Sequence, residues 1–182
     1  MRKSREEEAQ TRRRILEAAA CEFRKNGIVA TGLNDLMKAA GLTHGGFYKH
    51  FESKDQLVAE ACADAVDAAI PSWGMEAQAT INAAVAAYLS TRHRDDPASG
   101  CPLAAIGSEL ARTDTKTREA ATKGFERLVA ILAVKSKSEH ARRRALAAVS
   151  TMIGAVTMAR IVTDPKLSAE ILREVARSLT DE

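Results

Sequence analysis

The stretch from Leu33 to Phe51 constrains the fold of this chain more than any other. Leu33, Leu36, Met37 and Ala40 recur at i, i+3, i+4 and i+7, which places them on one face of a short helix. Gly41 follows where a helix ends on a left-handed residue, and Thr43 stands where a second short helix would be capped. Two helices joined by a tight turn containing glycine form a helix-turn-helix, whose second helix enters the major groove of DNA.

Composition sets the frame around that motif. The chain has 182 residues, 46% of them hydrophobic but only 4% aromatic. Alanine supplies much of the apolar content, and alanine favours helix. No strand-like alternation runs for more than a few residues, so the expected class is all-α. The net charge of +3 is too small to imply nucleic acid by itself. Its distribution says more. Residues 1 to 51 hold ten Lys and Arg against six acids, an excess of four, while the remainder nets to minus one. The basic excess therefore lies with the helix-turn-helix, as a phosphate-facing module requires. The charged N-terminus is no signal peptide, no run approaches the length of a membrane span, and Cys21, Cys62 and Cys101 make no CxxC pair. A cytoplasmic setting with no membrane is the expectation.

Caps and breakers divide the chain into about nine helices. Residues 1 to 8 read as a charged arm, either frayed or touching DNA. A first helix is expected over Ala9 to Lys25, with Ile15, Leu16, Ala19, Ala20 and Phe23 inward and Arg12, Arg13 and Arg14 at its opening, where cations oppose the helix dipole. Asn26-Gly27 closes it. The short helices Leu33 to Ala40 and His44 to His50 follow. Ser53-Lys-Asp-Gln56 is a capping box that starts a helix over Lys54 to Ala69, which Pro71 stops. Trp73 either plugs a junction or lines a pocket. Longer helices are expected over Glu76 to Thr91, Pro102 to Arg112, Thr115 to Val134, from the capping box Ser136-Lys-Ser-Glu139 to Val162, and over Pro165 to Leu179. A polar loop fills Arg92 to Gly100. The division is a helix-turn-helix domain over 1–53 and a larger helical domain over 54–182.

The first sixty residues resemble the N-terminal domain of the TetR/AcrR family of bacterial transcriptional regulators. The likeness rests on Arg14-Ile-Leu-Glu-Ala-Ala, Phe23 with Asn26-Gly27, Asp35-Leu36, Ala40-Gly41-Leu42 and above all Gly46-Phe-Tyr-Lys-His-Phe-Glu-Ser-Lys-Asp-Gln-Leu57. The segment that begins Gly100-Cys-Pro-Leu looks like a subfamily variant. The resemblance implies a homodimeric repressor that binds double-stranded operator DNA and is released by a small-molecule inducer. It puts Thr43, His44, Gly45 and Lys49 near base edges, and Tyr48, His50 and Lys54 on phosphates. Gly32 departs from the threonine many members carry there, leaving Thr31 or Asn34 to supply a phosphate contact. The residues give partial support on their own. Tyr48 and Lys49 project from a short helix, and Lys54 opens the next one, whose N-terminus favours a phosphate. Gly45-Gly46 costs ~1 kcal/mol per residue relative to alanine in a helix, which suits either close backbone approach to DNA or a loose first turn.

For the inducer, the soft and apolar residues Tyr88, Cys101, Ile106, Leu110, Phe125, Val129 and Met152, with Met75 and Met158, are candidates either for a pocket or for plain core. Few charges fall among them, so a neutral or hydrophobic ligand is expected. Val149, Met152, Val156, Ile171, Val175 and Leu179 of the last two helices either close the monomer or form a dimer interface. Cys101, at a helix start after Arg92, His93 and Arg94, is either a small buried residue or the thiol of an electrophile- or oxidant-sensing repressor, with a lowered pKa. A helical partner-binding scaffold without DNA reading is the other alternative. No GxSxG, HExxH, GxGxxG or P-loop occurs, and His44, His50, His93 and His140 lack metal-ligand spacing, so neither an enzyme nor a metal or cofactor site is expected.

Overall fold

Acidic side chains decide where the first helix begins. Helix α1 spans Arg5–Asn26, with Glu6, Glu7 and Glu8 in its first turn and Arg24 and Lys25 in its last, so both ends complement the dipole. It starts four residues before the position expected from sequence. Arg12, Arg13 and Arg14 consequently lie well inside the helix and carry no dipole cost there. The inward stripe is the expected one, Ile15, Leu16, Ala19, Ala20 and Phe23. The computed structural model describes residues 5–73, 80–135 and 139–180. The first half of the expected arm, Met75, the start of a helix at Glu76 and the capping box at Ser136 lie outside or at the edge of those residues.

Helix α2 covers Leu33–Ala39 and ends as its sequence requires. Gly41 has φ +68, the Leu42 N–H donates to the Met37 carbonyl at 2.8 Å, and the Gly41 N–H to the Lys38 carbonyl at 2.9 Å. This pair of bonds is a Schellman closure. The next element departs from expectation. His44–Lys49 is a six-residue 3-10 helix, not an α-helix, and the Thr43 hydroxyl makes no capping bond. Two glycines in so short a segment cannot sustain an α-helical nucleus. The box at Ser53 forms: its hydroxyl accepts from the Gln56 N–H at 3.0 Å, and the Gln56 side chain reaches back to the Glu52 N–H at 2.7 Å. Helix α3, Lys54–Ala69, follows, then a 3-10 turn over Pro71–Trp73.

Beyond it come α4 (Ile81–Tyr88), α5 (Thr91–Asp95), α6 (Pro102–Leu110), α7 (Thr115–Lys135), α8 (Ala141–Ile161) and α9 (Pro165–Thr180). The expected loop over 92–100 is instead α5 and a 3-10 turn, Pro97–Ser99. Each is nucleated by its own cap: Ser90 accepts from the His93 N–H at 3.2 Å, and Asp96 from the Ser99 N–H at 3.3 Å. Among the described residues there are nine α-helices and no strand. Helix α8 is long and apolar enough to cross a membrane by length and composition, contrary to the sequence expectation, yet it packs between α7 and α9 with Val149, Met152 and Val156 in the core.

Two hydrophobic cores form. One joins α1, α2, the 3-10 helix and the first part of α3, from Leu57 to Ala65, and draws in Ile106 and Leu110 of α6. The other begins at Val66 and Ala69 of the same α3 and takes in α4, α7, α8 and α9. Helix α6 is broken at Ile106 (φ −129, ψ 17). Cys101 and Ala104, before the break, belong to the second core; Leu103 touches both. Trp73 is buried in the second core, its ring 5.2 Å from that of Tyr88.

Gly41 holds a left-handed backbone (φ +68), and a Cβ there would also stand 2.9 Å from Arg14 Nη2, which would have to shift. Gly41→Ala is expected to lower unfolding free energy by about 1–2 kcal/mol, the cost of a left-handed alanine. Urea denaturation of the two proteins measures it.

Candidate nucleic-acid interface

Two aromatic rings determine which side of the 3-10 helix meets solvent. Phe47 and Phe51 are buried and stacked, their centroids 5.8 Å apart. With those two positions inward, Thr43, His44, Gly45, Tyr48 and Lys49 are left exposed, and Gly46 and His50 half-buried. Tyr48 is 66% exposed although it packs edge-on against Phe47 at 5.1 Å. No heavy atom lies within 4 Å of a Cβ placed on Gly45, so that backbone presents an open surface. A groove of 520 Å³ beside it is lined by Thr11, Met37, Thr43, Gly46, Lys49 and His50.

Helix α1 holds this face in place through residues whose roles sequence reasoning missed. Arg12 donates to both carboxylate oxygens of Glu60 on α3, at 2.7 and 2.6 Å, and to the His50 carbonyl at 3.3 Å, while its guanidinium lies 4.4 Å from the centre of the Phe51 ring. Arg14 donates to the Ala40 carbonyl at 2.6 Å, taking up one of the orphan acceptors at the end of α2. The sequence carries no signal for either pairing beyond the presence of three adjacent arginines.

Two expected phosphate contacts are placed otherwise. The Lys54 ammonium turns back to the Ile28 carbonyl at 2.5 Å and lies 5.9 Å from the centre of the Phe23 ring. Thr31 is buried, donating to the Gly27 carbonyl at 2.6 Å, so it cannot replace the missing threonine at Gly32; Asn34 is exposed in the first turn of α2. The turn between α1 and α2 is also pinned by the second half of α6, which packs on the same core. Glu109 of α6 accepts the Val29 N–H at 2.9 Å, and a Cβ on Gly27 (φ +89) would stand 2.7 Å from its carboxylate. Arg24 donates to the Ala98 carbonyl at 2.7 Å.

The residues proposed from sequence for an inducer are divided between the two cores. Tyr88, Cys101, Val129 and Met152 are buried in the second core, with Phe125 packed against it, and Ile106 and Leu110 belong to the first. Met158 is exposed. Of the dimer residues, Val149, Met152 and Val156 face the chain's own core; Ile171, Val175 and Leu179 are half-buried against it. The outward apolar residues of the last two helices are Leu146, Met158, Ile161 and Leu167.

Cys101 is fully buried, and that burial raises its thiol pKa despite its place at the start of α6. The lowered pKa expected from the helix end does not arise, because desolvation outweighs it. Beside it, His93 accepts the Cys101 N–H through Nε2 at 2.9 Å and directs Nδ1 at the Tyr88 carbonyl, 2.7 Å away, which fixes the proton on Nδ1. Arg160 donates to the His93 and Arg94 carbonyls at 2.6 and 3.0 Å. Burial chiefly, with the Arg160 charge, pulls His93 down to about 4.

Known proteins with related sequences share this architecture. Residues 15–61 match the model for bacterial regulatory proteins of the tetR family, and residues 77–178 match the model for the C-terminal domain of LmrA/YxaF-like transcriptional regulators. The chain is 43% identical over 58 residues to the HTH-type transcriptional regulator TtgR of Pseudomonas putida, a match covering 32% of this chain and 28% of that one. It is 41% identical over 59 residues to AcrR of Shigella flexneri, covering 32% and 27%. The match therefore spans less than a third of these curated relatives. A solved TetR transcriptional regulator from Chloroflexus aurantiacus superposes with TM-score 0.78 at 26% identity, over 97% of this chain and 98% of that one. The reduced form of E. coli NemR superposes with TM-score 0.77 at 20% identity over 94% and 96%, a likeness of fold.

The His93 arrangement makes stability pH-dependent. Its ordinary pKa of 6.5 is depressed to about 4, so the contribution is complete above 6.5 and is lost as pH falls towards 4. The expected total loss is about 3 kcal/mol, from 1.36 kcal/mol per pKa unit. Denaturation midpoints across that range measure it, and His93→Gln is expected to flatten this part of the curve.

Proposed function

The chain belongs to the TetR family of bacterial transcriptional regulators, and we propose that within it this protein is a ligand-responsive, dimeric repressor released from a near-palindromic operator by a small molecule. Residues 1–53 read the DNA; residues 54–182 hold the ligand and the dimer contact. One observation carries the DNA-reading part. Phe47 and Phe51 are buried while Thr43, His44, Gly45, Tyr48 and Lys49 stand exposed on one short element, held at its end by Arg12, with Arg14 on the end of α2 before it. Thr43, His44, Gly45 and Lys49 meet base edges, with Gly46 allowing close approach. Tyr48 and His50 meet phosphates. Lys54 supports the α1–α2 turn first and reaches phosphate only by leaving the Ile28 carbonyl.

Dimerisation uses the outward side of α8 and α9. Leu146, Met158, Ile161 and Leu167 are exposed large apolar residues on these two helices. Gly154 of α8, between them, has open space at its Cβ position, so a second backbone can come near. This replaces Val149, Met152 and Val156, which are spent on the chain's own core. Two recognition elements then meet successive major grooves, about 34 Å apart. The ligand shifts operator affinity only by its different affinities for the two dimer shapes. Regulation rather than catalysis is the activity proposed.

Two measurements test this reading. Lys49→Ala is expected to cost about 1–3 kcal/mol of operator binding and to relax the base preference at the position it contacts, while log K of the parent protein falls with log salt. Binding of the parent protein with no salt dependence overturns the DNA-reading role. Ile161→Asp with Leu167→Asp is expected to convert the dimer to monomer in sedimentation; an unchanged dimer places the interface elsewhere.

A further inference from the structure

The cleft between α3 and α7 carries a charge pattern that none of the preceding assignments uses. The two helices touch at either end of it. The Thr117 hydroxyl donates to the Asp55 carbonyl at 3.4 Å, and a Cβ on Gly124 would stand 2.9 Å from Val66 Cγ2. Between those contacts the lining is small, with Ala59 and Ala63 of α3 and Ala120 of α7 all half-buried. The cleft measures 780 Å³, and its walls belong to α3 and α7 alone. Side chains this short let another helix come close.

The rim on α7 is a row of exposed charges at helical spacing: Lys116, Glu119, Lys123 and Glu126. Among the described residues none of these four is in an ion pair. The other acids at the cleft are already engaged, Glu60 with Arg12 at 2.6 Å and Asp67 with Arg127 at 3.0 Å. The signs in the α7 row run plus, minus, plus, minus, so the row complements itself when turned end for end. With a two-fold axis crossing α7 at Ala121, Lys116 meets Glu126 of a second copy and Glu119 meets its Lys123, and each pair occurs twice. A parallel arrangement sets like charge against like. A two-fold contact uses the same patch on both subunits and so requires self-complementarity of this kind. Complementary charges of this sort fix partner and register more than they add affinity.

We propose that this face of α7 is a self-association surface, occupied by the same face of a second copy in antiparallel register, with its Lys–Glu pairs formed reciprocally across the axis. The surface is separate from the outward side of α8 and α9 and does not rest on that assignment. Where α8 and α9 form the dimer, α7 joins two dimers. Exposed ion pairs are weak and screened by salt, so the association is salt-labile.

Sedimentation equilibrium of the full chain at about 0.1 M and about 1 M salt tests the surface, since the Debye length falls between them from about 10 to about 3 Å. The mass is expected to double with rising protein concentration at the lower salt and not at the higher. Lys123→Glu sets acid against acid on both sides of the axis and is expected to weaken the low-salt association at least about tenfold. Glu119→Lys combined with Lys123→Glu exchanges the signs, keeps every pair and the net charge of the parent, and is expected to restore it. Both positions are exposed, so neither change disturbs the core. Absence of a salt-dependent doubling, an undiminished one in Lys123→Glu, or no recovery in the double variant overturns the surface. The α8–α9 contact is read separately, from the mass at high salt: a monomer there overturns that dimer without touching the doubling at low salt. Ile161→Asp with Leu167→Asp is expected to retain the salt-dependent doubling, and its loss in that variant overturns the assignment to α7.

Discussion

Burial of Phe47 and Phe51 is the constraint on which the rest of the surface proposed to read DNA depends. A 3-10 helix of six residues has little stability of its own, and two glycines reduce it further. Its orientation comes from the two rings that sink into the core beneath α1 and α3. Arg12 seals that arrangement by covering the Phe51 ring, taking the His50 carbonyl and pairing with Glu60. The pair is about a third exposed at each end, so its value lies in direction more than in energy. Helix α1 thereby acts as the splint of an element too short to hold itself.

How much of this was legible in the sequence depended on the range of the interaction. Local rules worked where the partner is a few residues away. The left-handed Gly41, the Ser53–Gln56 box and the inward stripe of α1 from Ile15 to Phe23 are all readable from spacing. Local rules failed in two ways. Short caps at Ser90 and Asp96 nucleate helix within a stretch whose polarity suggested a loop. Long-range pairings left no trace: Arg12 with Glu60, Arg14 with Ala40 and Glu109 with Val29 join residues 26 to 80 positions apart.

Periodicity also identified apolar residues without saying which surface they cover. Val149, Met152 and Val156 have the spacing of an interface and were available for one, yet α7 and α9 claim them. The outward set on α8 is sparser, with Leu146, Met158 and Ile161 interrupted by Ser150 and Gly154. On an alanine-rich helix both faces look apolar, and only packing tells them apart.

The break at Ile106 gives α6 one foot in each core, and α3 does the same across Ala65 and Val66. Neither core can come apart without exposing side chains of a helix that the other still needs. The two cores are thus linked through shared helices, so loosening one is expected to cost stability in the other. The proposed division between reading DNA and holding a ligand therefore does not extend to thermodynamic independence: a substitution that loosens the helical half is expected to lower stability at the recognition element as well, with the residues proposed to meet DNA unchanged.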